Sequence, residues 1–371
     1  MIKVLELIDG GFLGGGQTHI LSLAKNLDRK DFSSVIASSP NGPFKDEVHR
    51  AGLSFEAIHL PKIFRTKYLQ ALDEIIFDNE IDIIHSHGGV AGMYARFFKK
   101  RLGKIKVIHT IHGIHYTRTN NFFRKLFSHS IEEHLVQYTD KFICVSEGDY
   151  VLASGMDIID PSKTAVVKNG IDLARFSNKV KDPELMKSLG ISGDDVIVGN
   201  LSRFDFQKNQ RLLIKSFGAI ADKHPKLKLL LVGDGQFLNN CKEQVKDTGL
   251  SERVIFTGEV SNTEDYYPLI DVFVFPSQWE GLSITLIEAM ASGRAIIASD
   301  IPSNHELIKD SGNGMFFDLH QLDELTAKIE HLINDDAERK RLSENAVISS
   351  KDYDEKSMAD KIGSLYKEVM K

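Results

Sequence analysis

Residues 271–300, DVFVFPSQWEGLSITLIEAMASGRAIIASD, contain the pattern of a strand, a loop, a helix and a second strand. The runs DVFVFP and AIIASD are apolar and of strand length, and the segment between them places an amphipathic helix after a polar loop. A strand, helix and strand in this order are typical of a βαβ unit, which joins parallel strands of one sheet. The stretch therefore predicts a parallel sheet covered by helices.

The same alternation runs through the whole chain. The first half contains the runs IKVLELI, SSVIASS, FEAIHL, IDIIHSH, KVIHTIH, KFICVS and TAVVKN, and the second half DVIVGNLS, KLKLLLVG, RVIFTG, DVFVFP, AIIASD and GMFF. The polar interval 171–195 lacks a convincing strand and predicts a domain boundary near 172–194. The segments LDELTAKIEHLIND and EKSMADKIGSLYKEVMK have helical spacing.

These patterns predict an α/β protein with two doubly wound, Rossmann-like parallel sheets facing each other across a cleft. The first domain is expected over 1–175 and the second over 190–350. A C-terminal helix is expected over 351–371, and it could pack against the first domain.

Length and composition agree with two domains, since 371 residues exceed one core of about 150 and 42% of them are apolar. No apolar stretch reaches the roughly 18 to 20 residues that cross a bilayer. Glu6 and Asp9 lie where a secretory signal is uncharged, so we expect a cytoplasmic protein. The two cysteines, Cys144 and Cys241, are expected to be buried free thiols.

The net charge of −6 is unevenly distributed. No acid occurs in the 49 residues between Asp82 and Glu132, where basic residues alternate with phenylalanines such as Phe97, Phe98, Phe122, Phe123 and Phe127. Residues 93–127 therefore suit an anionic membrane surface, which would make the protein peripheral on the inner face of the cell membrane. Ordinary helix packing is the alternative. Nucleic acid is not an expected partner, because the isoelectric point is about 6.2 and no binding motif is present.

Unusual residues gather where strands end and helices begin, which is the edge at which open parallel sheets bind ligands. After the first strand, five of residues 10–16 are glycine, and the helix QTHILSLAKNL follows. Gly15 and Gly16 would let a negative group approach the helix start. The segment is neither a P-loop nor a dinucleotide fingerprint, because no Gly-Lys-Ser/Thr follows and residue 19 is histidine. A turn without a ligand is the alternative.

Two loops of the second half supply candidate charges. In SRFDFQKN, Arg203 and Lys208 could neutralise a diphosphate, or they could be an ordinary solvated pair. Within residues 271–300, Ser283 is expected to cap a helix whose first N–H groups bind a phosphate. Glu280 precedes that seat, and Glu288 lies about one and a half turns into the helix, within reach of a ribose. Incidental acids on a surface helix are the alternative.

Histidines cluster in the first half. His112, in HTIHG, is interpreted as a cleft residue that donates to a sugar hydroxyl. For His85, His87, His109 and His115 we expect packing or hydrogen-bonding roles, although His85 and His87 share one strand face. No metal motif accompanies them, so no metal is expected.

Together these segments resemble the retaining glycosyltransferases of family 4, which have the GT-B fold. The resemblance rests on EGLSITLIEAMASGRAIIASD, which is similar to the E-x7-E signature of the family, and on NLSRFDFQKN, VVKNGID and the glycine loop. Three positions depart from the usual pattern of the family. Gln17 stands where many members have Glu, Ser202 where they have Gly, and Arg294 where they have Pro or another small residue.

The resemblance implies roles for named residues. Arg203 and Lys208 would hold the diphosphate, Glu288 the ribose, and Glu280 the donor sugar. His112 would lie near the sugar's hydroxymethyl group, and the donor-binding set is Gly15, Gly16, Gly233, Gly281, Leu282, Ser283 and Glu288.

The implied activity is hexosyl transfer from a nucleotide-sugar to a saccharide or lipid-linked acceptor in bacterial cell-surface polysaccharide or glycolipid synthesis. A UDP-sugar is the favoured donor and GDP-mannose the second, with neither metal nor cofactor. Two alternatives stay open at this point, an isomerase similar to UDP-GlcNAc 2-epimerase and a non-catalytic protein that binds sugar nucleotides.

Overall fold

The computed structural model describes residues 1–114 and 122–371, apart from the side chains of Leu102 and Arg124. His115 and Arg118 lie outside the described residues. The chain forms two compact units, one of residues 1–171 and 353–371 and the other of residues 172–352.

The first unit contains a sheet of seven parallel strands in the order β3-β2-β1-β4-β5-β6-β7. The strands are β1 (Ile2–Ile8), β2 (Phe32–Ser38), β3 (Ser54–Ala57), β4 (Ile83–His87), β5 (Lys106–Ile111), β6 (Lys141–Cys144) and β7 (Thr164–Val166). Its helices are α1 (Gly15–Asn26), α2 (Phe44–Arg50), α3 (Lys67–Asp78), α4 (Gly89–Leu102), α5 (Phe122–Leu135) and α6 (Glu147–Gly155), together with the last helix of the chain, α14 (Glu355–Val369).

The second unit contains a sheet of six parallel strands in the order β10-β9-β8-β11-β12-β13. The strands are β8 (Val196–Leu201), β9 (Leu227–Val232), β10 (Val254–Phe256), β11 (Val272–Phe275), β12 (Ala295–Ser299) and β13 (Met315–Phe317). Its helices are α7 (Leu173–Phe176), α8 (Pro183–Ser188), α9 (Gln210–Ala221), α10 (Leu238–Asp247), α11 (Ile284–Ala291), α12 (Leu322–Asn334) and α13 (Asp336–Ser350).

Each apolar run identified in the sequence overlaps one of these strands, and β2 and β3 begin one residue before their runs, so the predicted strand pattern is confirmed. Both faces of a parallel sheet are covered by helices, which is why the strands of the second sheet read as apolar runs. In β11, all four residues, Val272 to Phe275, are fully buried. The expected burial of Cys144 and Cys241 as free thiols is also confirmed.

Each sheet has one point at which the strand order reverses. In the first sheet the chain goes from β1 outward to β3 and then returns to β4 on the other side of β1. In the second sheet it goes from β8 outward to β10 and returns to β11 beside β8. Loops that leave neighbouring strands at such a point diverge, and the crevice between them is where open α/β sheets bind ligands.

The end of the chain contains one helix that the sequence pattern missed. Helices α12 and α14 were predicted, but α13 was not, because its apolar residues do not collect on one face. Leu342 and Ala346 of α13 are fully buried, whereas Ile348 is 63% exposed. Helix α14 packs in the first unit, where Met358, Ile362 and Tyr366 join one apolar cluster with residues of β1 and α1.

None of the helices in the described ranges 1–114 and 122–371 combines the length and the apolar character needed to span a bilayer.

Candidate active site

The start of α11 is built by a serine cap. Ser283 has an extended backbone, and its hydroxyl oxygen accepts a hydrogen bond from the N–H of Leu286, as the sequence predicted. The remaining N–H groups of the first turn have no partner inside the helix, and with the helix dipole they favour an anion at this end. Gly281 and Leu282 complete the loop, and Leu282 is buried.

Lys208 and Glu280 form a direct ion pair. The Lys208 ammonium donates to Glu280 Oε1 at 2.6 Å, and only 13% and 9% of the two side chains are exposed. The ammonium also lies 5.1 Å from the centre of the Phe275 ring. The sequence assigned these two residues separate roles, but the structure brings them together, so the position of each depends on the other.

The loop after β8 and the loop after β11 are tied by further hydrogen bonds. The Gln278 N–H donates to the Gln207 carbonyl at 2.8 Å, and the Gln207 amide donates to the Trp279 carbonyl at 2.7 Å. The Gln278 amide donates to the Phe206 carbonyl at 2.5 Å. These bonds hold the segment that carries Lys208 against the segment that carries Glu280, at the point where the strand order reverses.

Arg203 lies on the same loop but is held loosely. Its side chain is 64% exposed, and its guanidinium lies 3.3 Å from Asp205 Oδ2. Asp205 is also engaged by the Lys208 backbone N–H at 3.0 Å. Because a solvent-exposed ion pair contributes little to stability, this guanidinium can turn towards an incoming anion at little cost.

Glu288 lies inside α11 and contacts a tyrosine that the sequence did not single out. The Tyr267 hydroxyl donates to Glu288 Oε2 at 2.8 Å. Burial raises the pKa of Glu288 to about 7, against the opposing influence of the Tyr267 hydrogen bond and the positive charge of Arg175. At neutral pH this carboxyl is therefore close to the midpoint of its titration.

Gly233 follows β9 and has a φ of +130°, which residues with a side chain rarely adopt. A Cβ at this position would lie 2.2 Å from the Ser202 carbonyl oxygen. Ser202, one of the departures from the family pattern, donates from its hydroxyl to Asn200 Oδ1 at 2.6 Å and accepts from the Gln210 amide at 2.8 Å. Ser202 and Gly233 thus set the path of the chain just before Arg203.

The other two departures also have structural partners. Arg294 donates to the Ser292, Pro268 and Ile270 carbonyl oxygens. Gln17 donates to the Gly10 carbonyl at 3.0 Å and closes the glycine loop. Neither side chain contacts Lys208, Glu280 or Glu288 through any bond found in the described residues.

In the first unit, the glycine loop leads directly into α1. Gly14 is the N-cap and offers no side-chain cap. Around the position of a Gly15 Cβ, no heavy atom from elsewhere in the described chain lies within 4 Å, whereas at Gly16 a Cβ would lie 3.1 Å from Ile8. The same Cβ would be 4.0 Å from His112, so Gly16 and His112 are neighbours.

The histidines of the first unit are buried and hydrogen-bonded. His85 contacts the Tyr366 hydroxyl at 2.5 Å and the Thr110 hydroxyl at 2.6 Å, and His109 contacts the Ser86 hydroxyl at 3.0 Å. The roles expected for His85 and His109 are therefore confirmed. His87 forms two bonds, one to Glu6 at 2.8 Å and one to His112 at 3.0 Å.

Two groups of these side chains have the spacing of metal ligands. They are the groups His19, His87 and His112, and Glu6, His85 and His87, and in each the candidate donor atoms lie within 4.8 Å of one another. The nitrogens of His87 are already engaged by Glu6 and His112. His19 Nε2 is buried without a hydrogen-bond partner in the described residues.

Two family models match most of the chain between them. The model described as Glycosyltransferase Family 4 matches residues 13–175, and the model described as Glycosyl transferases group 1 matches residues 181–347. The chain belongs to glycosyltransferase family 4. The activity class predicted from the sequence, a glycosyltransferase, is thereby confirmed.

Two of the similar proteins are bacterial enzymes of known name. The UDP-Gal:alpha-D-GlcNAc-diphosphoundecaprenol alpha-1,3-galactosyltransferase of Escherichia coli is 26% identical over 333 residues, which are 87% of this chain and 85% of that protein. The alpha-monoglucosyldiacylglycerol synthase of Streptococcus pneumoniae is 30% identical over 262 residues, 67% of this chain and 59% of that protein.

Solved structures show the same fold. The crystal structure of Anabaena Alr3699/HepE in complex with UDP and glucose has a TM-score of 0.86 at 20% identity, covering 98% of this chain and 99% of that chain. The two parallel sheets of this glycosyltransferase are therefore those of the GT-B fold, as predicted.

The basic segment of this glycosyltransferase is partly internal, which corrects one prediction. Arg96 is fully buried and pairs with Glu132 at 2.7 Å, and Lys99 and Arg101 pair with Asp140 and Asp73. Phe98 is 1% exposed and packs in the core. Arg96 and Phe98 are therefore part of the core of the first unit and do not belong to a membrane-facing surface, whereas Arg101 is 39% exposed in a surface ion pair.

In the described part of the segment, the large apolar side chains that are exposed lie in the first half of α5. Phe122, Phe123, Leu126 and Phe127 are 69%, 80%, 52% and 69% exposed. We call these four residues the α5 patch.

Sequence reasoning missed Tyr267, Glu6 and the link from His87 to His112. Glu6 gave one usable signal, since it is an acid within the apolar run IKVLELI, and a buried acid requires partners. Tyr267 gave none, because its contact with Glu288 depends on how two distant segments pack.

Proposed function

We propose that this glycosyltransferase is a retaining, metal-independent enzyme that transfers a sugar from a UDP-sugar, or as second choice from GDP-mannose. The acceptor is a saccharide or a lipid-linked saccharide of bacterial cell-surface polysaccharide or glycolipid synthesis. Its donor-binding residues are Arg203, Lys208 and the start of α11.

One observation carries this proposal. Lys208, held by Glu280, and the N-terminus of α11, capped by Ser283, lie on the two loops that leave the sheet where its strand order reverses. A leaving diphosphate carries negative charge, and an ammonium and unpaired N–H groups on fixed loops stabilise that charge in the transition state. Arg203 adds an exposed guanidinium, which can contact two phosphate oxygens at once.

The reaction then needs no metal to neutralise the leaving group. In the step that we propose, the acceptor hydroxyl attacks the anomeric carbon on the face from which the diphosphate leaves. The bond from that carbon to the phosphate oxygen breaks, and the hydroxyl proton passes to a phosphate oxygen. The products are the glycoside with retained configuration and the nucleoside diphosphate.

The remaining assigned residues position the donor. Glu288 binds the ribose hydroxyls, Glu280 contacts the sugar, and His112 lies at its hydroxymethyl group. Gly15, Gly16, Gly233, Gly281 and Leu282 supply backbone that can approach the donor closely.

The similar proteins support the choice of substrates. The name of the E. coli relative specifies a UDP-linked sugar and a diphosphoundecaprenol-linked acceptor. The S. pneumoniae relative is named for synthesis of a glycolipid. Transfer from a UDP-sugar to a membrane-linked acceptor is therefore the first reaction to assay.

The test has a binding step and a transfer step. Thermal unfolding with UDP, GDP, ADP and their sugars should show the largest increase in melting temperature with one uridine ligand, because only a ligand of the folded state stabilises it. The preferred donor should then transfer sugar to bacterial lipid extracts, and NMR of the product should show retained anomeric configuration.

An inverted product would refute the retaining mechanism, and loss of transfer in EDTA would refute metal independence. In that second case, the two groups of metal-ligand spacing around His87 would be the first residues to substitute.

The two alternatives predict different products. An isomerase would convert UDP-GlcNAc alone into its 2-epimer, and a non-catalytic protein would bind donors without turnover. Incubation with each UDP-sugar, with and without acceptor, followed by chromatography, separates these outcomes from acceptor-dependent release of UDP.

We also propose that the α5 patch binds an anionic lipid surface at the inner face of the cell membrane, where a lipid-linked acceptor is located. Four exposed apolar side chains follow one another on one helix, and Lys125 lies among them. Apolar side chains next to cations are what an interfacial helix offers to anionic lipid.

Sedimentation with vesicles tests this surface. Phe123→Ser with Phe127→Ser should reduce binding to vesicles that contain phosphatidylglycerol by about 100-fold or more, since each buried aromatic ring contributes about 1.5 kcal/mol or more. The matched control is Phe77→Ser, which removes an 83% exposed ring from α3 beside Asp78. Equal binding by all three proteins would refute the proposal.

A further inference from the structure

A chain of hydrogen bonds crosses the core of the first unit and ends at His112. The Tyr366 hydroxyl, on α14, donates to Glu6 Oε1 at 2.8 Å, and Glu6 Oε2 contacts His87 Nε2 at 2.8 Å. His87 Nδ1 contacts His112 Nε2 at 3.0 Å. The chain thus connects the C-terminal helix, β1, β4 and the residue after β5.

The buried acid decides the direction of every bond. Glu6 is fully buried on the central strand β1. Burial alone would raise its pKa, but the neighbouring His85 and His87 outweigh burial and hold the pKa of Glu6 well below its usual range. An ionised carboxylate can only accept hydrogen bonds, so His87 Nε2 must carry a proton and donate it.

The proton count then fixes the state of His87. Burial, with a smaller contribution from the neighbouring His85, lowers the pKa of His87 to about 4, so the ring is neutral at pH 7 and holds one proton. Because that proton is on Nε2, Nδ1 has a free lone pair. The contact at 3.0 Å therefore requires His112 Nε2 to be the donor.

The same reasoning applies to His112, at the end of this series of hydrogen bonds. Burial, with His19 and His87 nearby, lowers the pKa of His112 well below its usual value, so this ring is also neutral at pH 7. Its one proton is committed to His87. Its second nitrogen, Nδ1, has no hydrogen-bond partner among residues 1–114 and 122–371.

We infer that Glu6 and His87 are positioning residues that fix His112 in the tautomer with the proton on Nε2, so that Nδ1 meets the donor sugar as a hydrogen-bond acceptor. This reverses the role expected from the sequence, in which His112 donates to the sugar. A lone pair at Nδ1 selects a sugar group that can donate, such as a hydroxyl, and disfavours a carboxylate at the same place. The sugar contact rests on the proposed function, whereas the tautomer does not.

The neighbouring histidines fit this assignment. His85 faces the other side of Glu6, at 3.2 Å from Oε2, and is engaged by Tyr366 and Thr110. His19 contacts Asn169 Oδ1 at 2.9 Å through Nδ1. The His19 ring lies edge-on to the His112 ring, with centroids 4.8 Å apart, and limits the orientations that His112 can adopt.

The tautomer can be measured directly in the wild-type protein. In NMR spectra of protein labelled with ¹⁵N-histidine at pH 7, the His112 signals are those that disappear in His112→Ala. We expect a protonated Nε2 and an unprotonated Nδ1. A protonated Nδ1, or a doubly protonated ring, would overturn the inference. Tight binding of added Zn²⁺ by His19, His87 and His112 would also overturn it, because the metal would replace the proton on Nε2.

A double-mutant cycle tests whether His87 acts through His112. His87→Gln should lower kcat/KM for the donor by about 10- to 100-fold, because a displaced contact group misaligns the substrate. In a His112→Ala background the same change should have little further effect, since residues that act as one unit are not additive. The control His109→Gln alters another buried histidine, which is not part of the series of hydrogen bonds from Tyr366 to His112. This control should change kcat/KM less than threefold.

The outcomes separate this inference from the proposed function. Losses that multiply in the double variant would show that His87 has an independent structural role, and the positioning inference would fail. If His112 is protonated on Nε2 but His112→Ala keeps full activity, Glu6 and His87 still fix the tautomer of His112, and the contact of His112 with the sugar is refuted.

Discussion

Replacing Lys208 with methionine removes the charge that we assign to the leaving diphosphate and keeps most of the side-chain volume. The change also strips Glu280 of its partner at 2.6 Å, and 9% exposure leaves this carboxylate little water in compensation. Breaking a fully buried ion pair costs about 3 to 5 kcal/mol, so we expect a loss of about 2 to 3 kcal/mol for this partly hydrated pair.

The effect on catalysis is separate from that on folding. A preorganised charge at a developing anion contributes a factor of roughly 10² to 10³ to the turnover rate. We therefore expect Lys208→Met to lower kcat by that factor when assayed well below its melting temperature. The double variant Lys208→Met with Glu280→Gln should recover most of the lost stability, because no unpaired charge remains, but should not recover turnover.

The assay is release of the nucleoside diphosphate with saturating donor and acceptor, accompanied by urea unfolding of each variant. Lys215→Met, which removes an exposed lysine from the next helix, is the matched control and should be within threefold of wild type in kcat. If Lys208→Met also stays within threefold, or if the double variant regains turnover, the assigned role of Lys208 is wrong.

Three further substitutions follow from the second unit. Glu288→Gln should raise stability relative to wild type by up to about 3 kcal/mol as pH rises from 4.5 to 8, measured by thermal unfolding. The folded state, with a pKa of about 7 at Glu288, holds more protons than the unfolded state in this window, so the stability of the wild type falls with pH. A constant difference between the two proteins across the window would contradict the assignment. Gly233→Ala should lower the free energy of unfolding by about 2 kcal/mol or more, because its Cβ would lie 2.2 Å from the Ser202 carbonyl oxygen. An unchanged urea midpoint would argue against that conformation. Ser283→Ala should cost about 1 kcal/mol through loss of the cap, whereas Ser283→Asp should retain stability but weaken UDP binding through charge repulsion. If calorimetric titration finds equal UDP affinity for Ser283→Ala and Ser283→Asp, the assignment of a phosphate site to the start of α11 is wrong.

The sequence by itself determined the elements and the fold class. Strand and helix periods are local properties, because a residue's position in the pattern fixes which face it presents. The run DVFVFP and the segment that follows it are sufficient to predict β11, the loop and a helix capped by Ser283. Helix α13 was missed because Ile348 is exposed, so the apolar residues of this helix do not follow the helical period.

The tertiary structure decided which side chains meet. Lys208 and Glu280 are 72 positions apart, and Tyr366 and Glu6 are 360 apart, so no local pattern relates them. Desolvation is likewise a property of the packed chain, and it is what brings the pKa of Glu288 to about 7. The sequence could name the groups that carry the chemistry, but their partners, charge states and proton positions depend on burial and on contacts that exist only after the two sheets have folded.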